Sequence, residues 1–103
     1  MTRKVIRVNL QLKPFESGGR SEPLRSGYRS LLRLQGCDTD FGFELVLDEE
    51  FGSDGLKPGD SGTGYLSFWA VDQLPNLADG RQFEIREGTH IIGSGEIVEV
   101  DVA

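Results

Sequence analysis

Hydrophobic and polar residues alternate along the first part of the chain. The apolar side chains of Ile6, Val8, Leu10 and Leu12 occupy every second position, and polar or charged residues fill the positions between them. Successive side chains of a β-strand point to opposite faces, so this period-two pattern predicts a half-buried strand across residues 3–13. The rest of the chain does not show the periodicity of an amphipathic helix.

The same alternation recurs in five later segments, which are separated by stretches rich in turn-forming residues. We expect strands at residues 28–34, 41–47, 62–71, 82–86 and 89–102. Gly93-Ser94-Gly95 interrupts the last of these and predicts a bulge or sharp bend. Six strands without a helix predict an all-β antiparallel fold, either a sandwich or a closed barrel.

The length and composition narrow the class of protein. A chain of 103 residues suits one domain with a modest core, which we expect to span residues 1–103. No apolar run approaches the roughly 18 residues of a membrane span, and we expect no signal peptide. One cysteine, Cys37, excludes an internal disulfide, and with one histidine, His90, it excludes a zinc site. We therefore expect a cytoplasmic protein without a membrane partner.

Charge is distributed unevenly along the chain. The first 36 residues carry a net charge of +6 and the remaining residues carry −12, for a total of −6. One interpretation is an anion-binding face beside an acidic face. The other, which we favour, is charge pairing between strands once the two parts fold together. The negative total also argues against general nucleic-acid binding, because nucleic-acid-binding domains are usually strongly basic.

The residue types needed for catalysis are present but form no recognisable motif. His90 is not accompanied by a nucleophile elbow, and Asp38 beside Cys37 disfavours the thiolate that a reactive cysteine needs. The glycine-rich segments 17–20 and 93–95 open no predicted helix and so do not form a phosphate-binding loop. The acidic residues near Asp48 lack the alternating oxygen ligands of a calcium loop. We predict a protein that is not an enzyme and uses no cofactor or metal.

Three short motifs occur in order along the chain. The first combines Gly18-Gly19-Arg20 with Gly27-Tyr28-Arg29. The second is Lys57-Pro58-Gly59-Asp60. The third combines DGRQFEIREG at residues 79–88 with IGSGEIV at 92–98. Together they resemble the C-terminal domain, domain III, of bacterial elongation factor Tu. The family motifs are G-G-R with G-Y-R-P, M-P-G-D, and D-G-L-R-F-A-I-R-E-G with V-G-A-G-V-V. The resemblance extends over about residues 5–100, and the order and spacing of the motifs make it specific.

The resemblance implies a six-stranded antiparallel closed β-barrel with Greek-key connections. In the family this domain grips the T-stem backbone of aminoacyl-tRNA, contacts the nucleotide-exchange factor Ts and packs against a GTPase domain. Arg20 matches the arginine of the family's G-G-R loop, and Arg29 matches the arginine of G-Y-R-P. Arg86, Glu87 and Gly88 match the R-E-G turn, which touches the T-stem in the family. These five residues are the candidate contacts to RNA or to a protein partner. The chain contains no P-loop, so nucleotide binding and GTP hydrolysis do not carry over.

Five positions of the family motifs differ in this chain. Ser21, Leu31 and Leu74 stand where the family has polar or charged side chains, Ser30 stands in place of the proline of G-Y-R-P, and Thr89 in place of the second glycine of R-E-G-G. On an acidic chain, the loss of those family side chains favours protein binding over tRNA binding.

Three hypotheses for function follow from these residues. The first is a non-catalytic protein-interaction module with an unidentified partner, for which the candidate anchors are Phe51, Leu56, Tyr65 and Trp69. The alternative is a module that binds tRNA or another RNA stem through Arg20 and Arg86 and depends steeply on salt. The third is competition with elongation factor Tu for a shared ligand.

Overall fold

The computed structural model describes residues 3–69 and 77–100 of the chain. It contains six strands: β1 Lys4–Leu12, β2 Arg29–Leu34, β3 Asp40–Leu47, β4 Ser61–Phe68, β5 Gln82–Glu87 and β6 His90–Glu99. Short 3-10 helices lie at Phe15–Ser17 and Glu49–Asp54. The six predicted strands are confirmed, while residues 70–71 and 101–102 of the predicted segments lie outside the described residues, as does Leu74. Among the described residues, no helix is long and apolar enough to cross a membrane.

The six strands close into a barrel in the order β1-β4-β3-β2-β5-β6, with β6 pairing back to β1. Every pairing is antiparallel. Strands β2, β3 and β4 pair with their chain neighbours, and the long connection after β1 lets β1 lie beside β4, which is a Greek-key arrangement. The closed barrel confirms the predicted fold and decides against the sandwich.

The alternation along the strands builds the core of the barrel. On β1 the four apolar side chains are each at most 2% exposed, whereas Asn9 and Gln11 between them are exposed. Buried rows from the other strands pack against them in a single cluster. Burying one such side chain stabilises the fold by about 1.5–3 kcal/mol, so the period-two pattern accounts for which face of each strand points inward.

A short bridge joins two long connections. The Leu24 N–H donates to the Leu56 carbonyl at 2.9 Å, and the Leu56 N–H donates to the Leu24 carbonyl at 2.8 Å. Both side chains are 1% exposed and belong to the core. The prediction that Leu56 is a surface anchor is therefore wrong, because its side chain completes the core instead of facing solvent.

The glycines of β6 serve a different purpose from the one predicted. Gly93, Ser94 and Gly95 stay in register with β1 and β5, and the register shifts fall outside the triplet, between Ile91 and Gly93 and between Ile97 and Glu99. One irregularity of β6 thus lies immediately before the predicted triplet, at Ile92, and not within it. A Cβ at Gly95 would lie 2.7 Å from Phe83 Cε1 and would also overlap the Asn9 carbonyl. The triplet is glycine-rich because the wall is closely packed.

Candidate functional site

Four of the five candidate contact residues lie where the β1–β2 connection meets the turn between β5 and β6. Arg20, Arg86, Glu87 and Gly88, together with Tyr28, are called the loop cluster below. The Arg20 guanidinium forms an ion pair with the Glu87 carboxylate. The Tyr28 hydroxyl donates a 2.7 Å hydrogen bond to the same carboxylate, and Arg20 Cζ lies 5.0 Å from the centroid of the Tyr28 ring. Glu87 therefore ties the two connections together.

The pKa of Tyr28 is raised to about 12. The main cause is burial of the phenol, which penalises the charged form; the Glu87 carboxylate adds to the shift and a hydrogen bond with Ser30 opposes it. Tyr28 thus remains protonated at neutral pH and keeps its proton for the hydrogen bond to Glu87.

Arg86 is held on the outer side of β5 by contacts within the protein. Its Nη2 lies 2.8 Å from Oε1 of Glu84, and its side chain is 16% exposed. The Ser30 hydroxyl donates to the Arg86 carbonyl. Arg86 Nε is buried and has no hydrogen-bond partner among the described residues. An incoming phosphate cannot reach this nitrogen unless the surrounding side chains move.

Gly88 begins the two-residue turn that joins β5 to β6. Its φ of +63° lies in the left-handed region, where glycine is strongly favoured, and no atom lies within 4 Å of the position that a Cβ would take. Backbone conformation, rather than crowding, accounts for glycine here. His90 follows the turn, is exposed, and contacts the Gly18 carbonyl through Nε2.

Arg29, the fifth candidate, belongs to a different surface. Its side chain is 70% exposed, its Nη2 lies 3.3 Å from Glu44 Oε1, and its Cζ lies 5.1 Å from the centroid of the Trp69 ring. Arg3 Cζ lies 5.0 Å from the centroid of the same indole. Arg7 Cζ lies 4.8 Å from the centroid of the Tyr65 ring. Arg3, Arg7, Arg29, Tyr65 and Trp69 are called the β4 outer face below.

The Asp48 carboxylate anchors the Arg7 side chain within the β4 outer face. Its Nη2 donates a 2.7 Å hydrogen bond to Asp48 Oδ2, and the Thr63 hydroxyl donates to the same carboxylate. These two hydrogen bonds, from Arg7 first and Thr63 second, lower the pKa of Asp48, and the Asp48 carboxylate raises the pKa of Arg7. Arg7 is therefore fixed in place and gives Tyr65 a rigid support.

The remaining predicted anchors divide between the surface and the core. Tyr65 and Trp69 are partly exposed and both lie on the β4 outer face. Phe51 is partly buried, and a Cβ at Gly62 would come within 2.9 Å of its Cζ, so Phe51 packs against the wall. Val46 is exposed and pairs with Tyr65, but it is not among the anchors predicted from the sequence. The alternation of β3 gives a signal for it, because Val46 falls between the buried positions.

The ion pairs explain the uneven charge of the sequence. Arginines of the first 36 residues pair with carboxylates from later in the chain, as in Arg7–Asp48, Arg20–Glu87, Arg29–Glu44 and Arg33–Asp40. This confirms pairing across the barrel as the interpretation of the charge pattern. Exposed pairs of this kind are worth at most about 1 kcal/mol each, so their main effect is to neutralise the arginines locally.

Comparison with protein-family models finds no match to this chain. In the part of the chain that the structure describes, no three His, Cys, Asp or Glu side chains are grouped as metal ligands.

Proposed function

We propose that this chain is a non-catalytic protein-interaction module, a barrel of the elongation factor Tu domain III type that docks on another protein through the β4 outer face. The observation that carries the proposal is the pair of arginines, Arg3 and Arg29, over the Trp69 ring, with Tyr65 supported by Arg7 on the same face. Tryptophan, tyrosine and arginine are the residues most enriched in binding hot spots. A cytoplasmic location and a role connected with translation are parts of this proposal.

The exposure of the β4 outer face supports the proposal. The Arg29 side chain is 70% exposed and the neighbouring Val46 is 44% exposed. Val46, Tyr65 and Arg7 occupy one row across β3, β4 and β1. An apolar side chain beside a rigidly held aromatic ring offers contact area that loses little conformational entropy on binding. The exposed guanidinium adds hydrogen-bond donors at the edge.

The alternative, an RNA-stem-binding module that uses Arg20 and Arg86, has less support. Arg20 is paired with Glu87 and Arg86 with Glu84. A phosphate would have to displace these carboxylates or lie beside them, which costs binding energy through like-charge repulsion. The net charge of −6 adds an unfavourable long-range term.

The proposal is tested by affinity capture with the tagged protein at moderate and high salt, followed by identification of both protein and RNA. The test variant is Trp69→Ala. The matched control is Phe15→Ala, which removes an aromatic side chain that is 63% exposed and lies outside the β4 outer face. Thermal melts of both variants establish that the fold is retained.

We expect a protein partner that resists high salt, is retained by Phe15→Ala and is lost or weakened at least tenfold by Trp69→Ala, consistent with a hot-spot contribution of about 2 kcal/mol. Equal retention by both variants contradicts docking through this face. Recovery of tRNA that disappears at high salt supports the RNA alternative instead, since phosphate contacts release counterions.

A further inference from the structure

A concave surface lies on the barrel wall away from the loop cluster and the Trp69 ring. It has a volume of about 710 Å³ and crosses the outer side of β4, β1, β6 and β5, with the 3-10 helix at Glu49–Asp54 forming one rim. Across the four strands, Gly62, Leu10, Gly95 and Phe83 form one lateral row. The Leu10 and Phe83 side chains are buried in the core, so this row presents mainly strand backbone to the outer surface. This surface is called the amide groove below.

Polar side chains line the amide groove in register. Asn9 pairs with Glu96, and Glu96 pairs with Gln82, which places two amides on either side of one carboxylate. In the next row Ser94 lies opposite Gln11. The side chains alternate with the buried residues of the core, which directs them outward.

Most of these polar groups are not used within the protein. Gln11 is an exception, since its Nε2 donates to the carbonyls of Leu12 and Gly59 and its Oε1 accepts from Ser61. By contrast, the side chains of Asn9, Gln82, Ser94 and Glu96 make no hydrogen bond or ion pair within residues 3–69 and 77–100. Donors and acceptors that the fold leaves unused are available to a ligand.

The charge of the lining restricts the class of ligand. Among the described residues that line the groove, Glu50 and Glu96 are charged and both are acidic. Glu50 also acts electrostatically on Arg7, which leaves Glu96 as the carboxylate without a counter-ion. Anionic ligands such as nucleic acid are disfavoured here, whereas a guanidinium or an ammonium group is complementary to the carboxylates.

We propose that the amide groove binds an extended, basic peptide segment of a partner protein. Its arginine or lysine side chain would lie against Glu96, and its backbone N–H and C=O groups would bond to the Asn9 and Gln82 amides. The amides provide both donors and acceptors, as a peptide backbone requires. The proposal is independent of docking through the β4 outer face, because the two surfaces share none of the residues that carry the arguments.

The test is a titration of the ¹⁵N-labelled chain, followed by NMR at constant ionic strength. The probe is a blocked five-residue peptide with two arginines between glycines, and the matched probe has glutamates in place of the arginines. We expect the basic peptide to shift the side-chain amide signals of Asn9 and Gln82 and the backbone signals of residues 94–96. The acidic peptide should leave them unchanged.

Two variants separate binding in the groove from general attraction to an acidic protein. Glu96→Gln should weaken binding about threefold to fivefold, as expected for loss of one exposed ion pair. Glu16→Gln removes an equal charge from an exposed position outside the groove and should change affinity less than twofold. The proposal would be overturned if both variants lost affinity equally or if the peptide shifted signals over the whole barrel. It would also be overturned if spermidine, titrated instead of the peptide, bound as well as the peptide.

Discussion

The loop cluster and the β4 outer face each contain an arginine packed over an aromatic ring, but the surroundings of the two arginines differ. In the loop cluster, Arg20 lies 5.0 Å from the Tyr28 ring; on the β4 outer face, Arg29 lies 5.1 Å from the Trp69 ring. Arg20 is 24% exposed, and its carboxylate partner is also bonded to the Tyr28 hydroxyl. Arg29 is 70% exposed and its carboxylate partner lies 3.3 Å away. The first arrangement joins two connections of the fold, and the second lies open at the surface.

Arg20 and Arg29 both lie in the segments that resemble the family motifs, yet their surroundings differ in burial and in the closeness of the carboxylate. Neutralisation by a nearby carboxylate reduces the free energy that an arginine can offer to a phosphate.

The largest expected effect is a loss of stability caused by disrupting the closely packed barrel wall, on which both regions depend. Gly95→Val should destabilise the barrel by about 3 kcal/mol, because its side chain would overlap Phe83 and the Asn9 carbonyl. Gly42→Val is the matched control, since no atom lies within 4 Å of the added Cβ, and it should change stability by less than about 0.5 kcal/mol. Urea unfolding followed by tryptophan fluorescence measures both. Equal stability of the two variants would contradict the close-packing argument.

A smaller effect on stability distinguishes the loop cluster from the β4 outer face. Glu87→Ala should cost about 1–2 kcal/mol, because it leaves the half-buried Tyr28 hydroxyl without its acceptor and Arg20 without its counter-ion. Glu44→Ala removes the partner of the exposed Arg29 and should cost less than about 0.5 kcal/mol. Thermal unfolding of the two variants under one buffer gives the difference. If Glu44→Ala lost as much unfolding free energy as Glu87→Ala, the carboxylates of both regions would stabilise the fold equally.

The smallest effect is a pH dependence confined to the loop cluster. The pKa of Tyr28 is raised to about 12 in the folded protein, above the ordinary value near 10. The unfolded chain therefore ionises first, so the stability that Tyr28 contributes is fully present below pH 10 and is lost as pH rises towards 12.

Comparison of the parent with Tyr28→Phe isolates this contribution. The variant should lose about 1 kcal/mol at neutral pH, and its deficit should shrink between pH 10 and 12. Tyr65→Phe, on the β4 outer face, retains Tyr28 and serves as the control. A deficit of the Tyr28→Phe variant that stays constant up to pH 12 would contradict the raised pKa of Tyr28 in the folded protein.

The sequence predicts the fold better than it predicts the site. Alternating positions such as Ile6, Val8, Leu10 and Leu12 identify a strand and its buried face because a two-residue period depends only on local geometry. Leu56 carries no such signal: it lies in a connection, and its burial depends on the bridge to Leu24. The ion pair between Arg20 and Glu87 joins residues 67 positions apart, and no local pattern indicates that they meet.

The amide groove illustrates the same limit. Asn9, Gln82 and Glu96 come from three strands, and each is an ordinary polar position when considered alone. Only the register of β1, β5 and β6 brings them together. A change of one residue in that register would turn every side chain of a strand to the other face.

The Greek-key position of β1 has a consequence for biosynthesis. β1 is translated first, yet its hydrogen-bonding neighbours are β4 and β6, whose pairing residues extend to Glu99. The apolar row of β1 therefore cannot be fully paired until β6 has left the ribosome. Long-range pairing of this kind slows folding and leaves hydrophobic surface exposed in the meantime. We expect the barrel to close only after β6 has left the ribosome, with β1 as the segment that chaperones encounter.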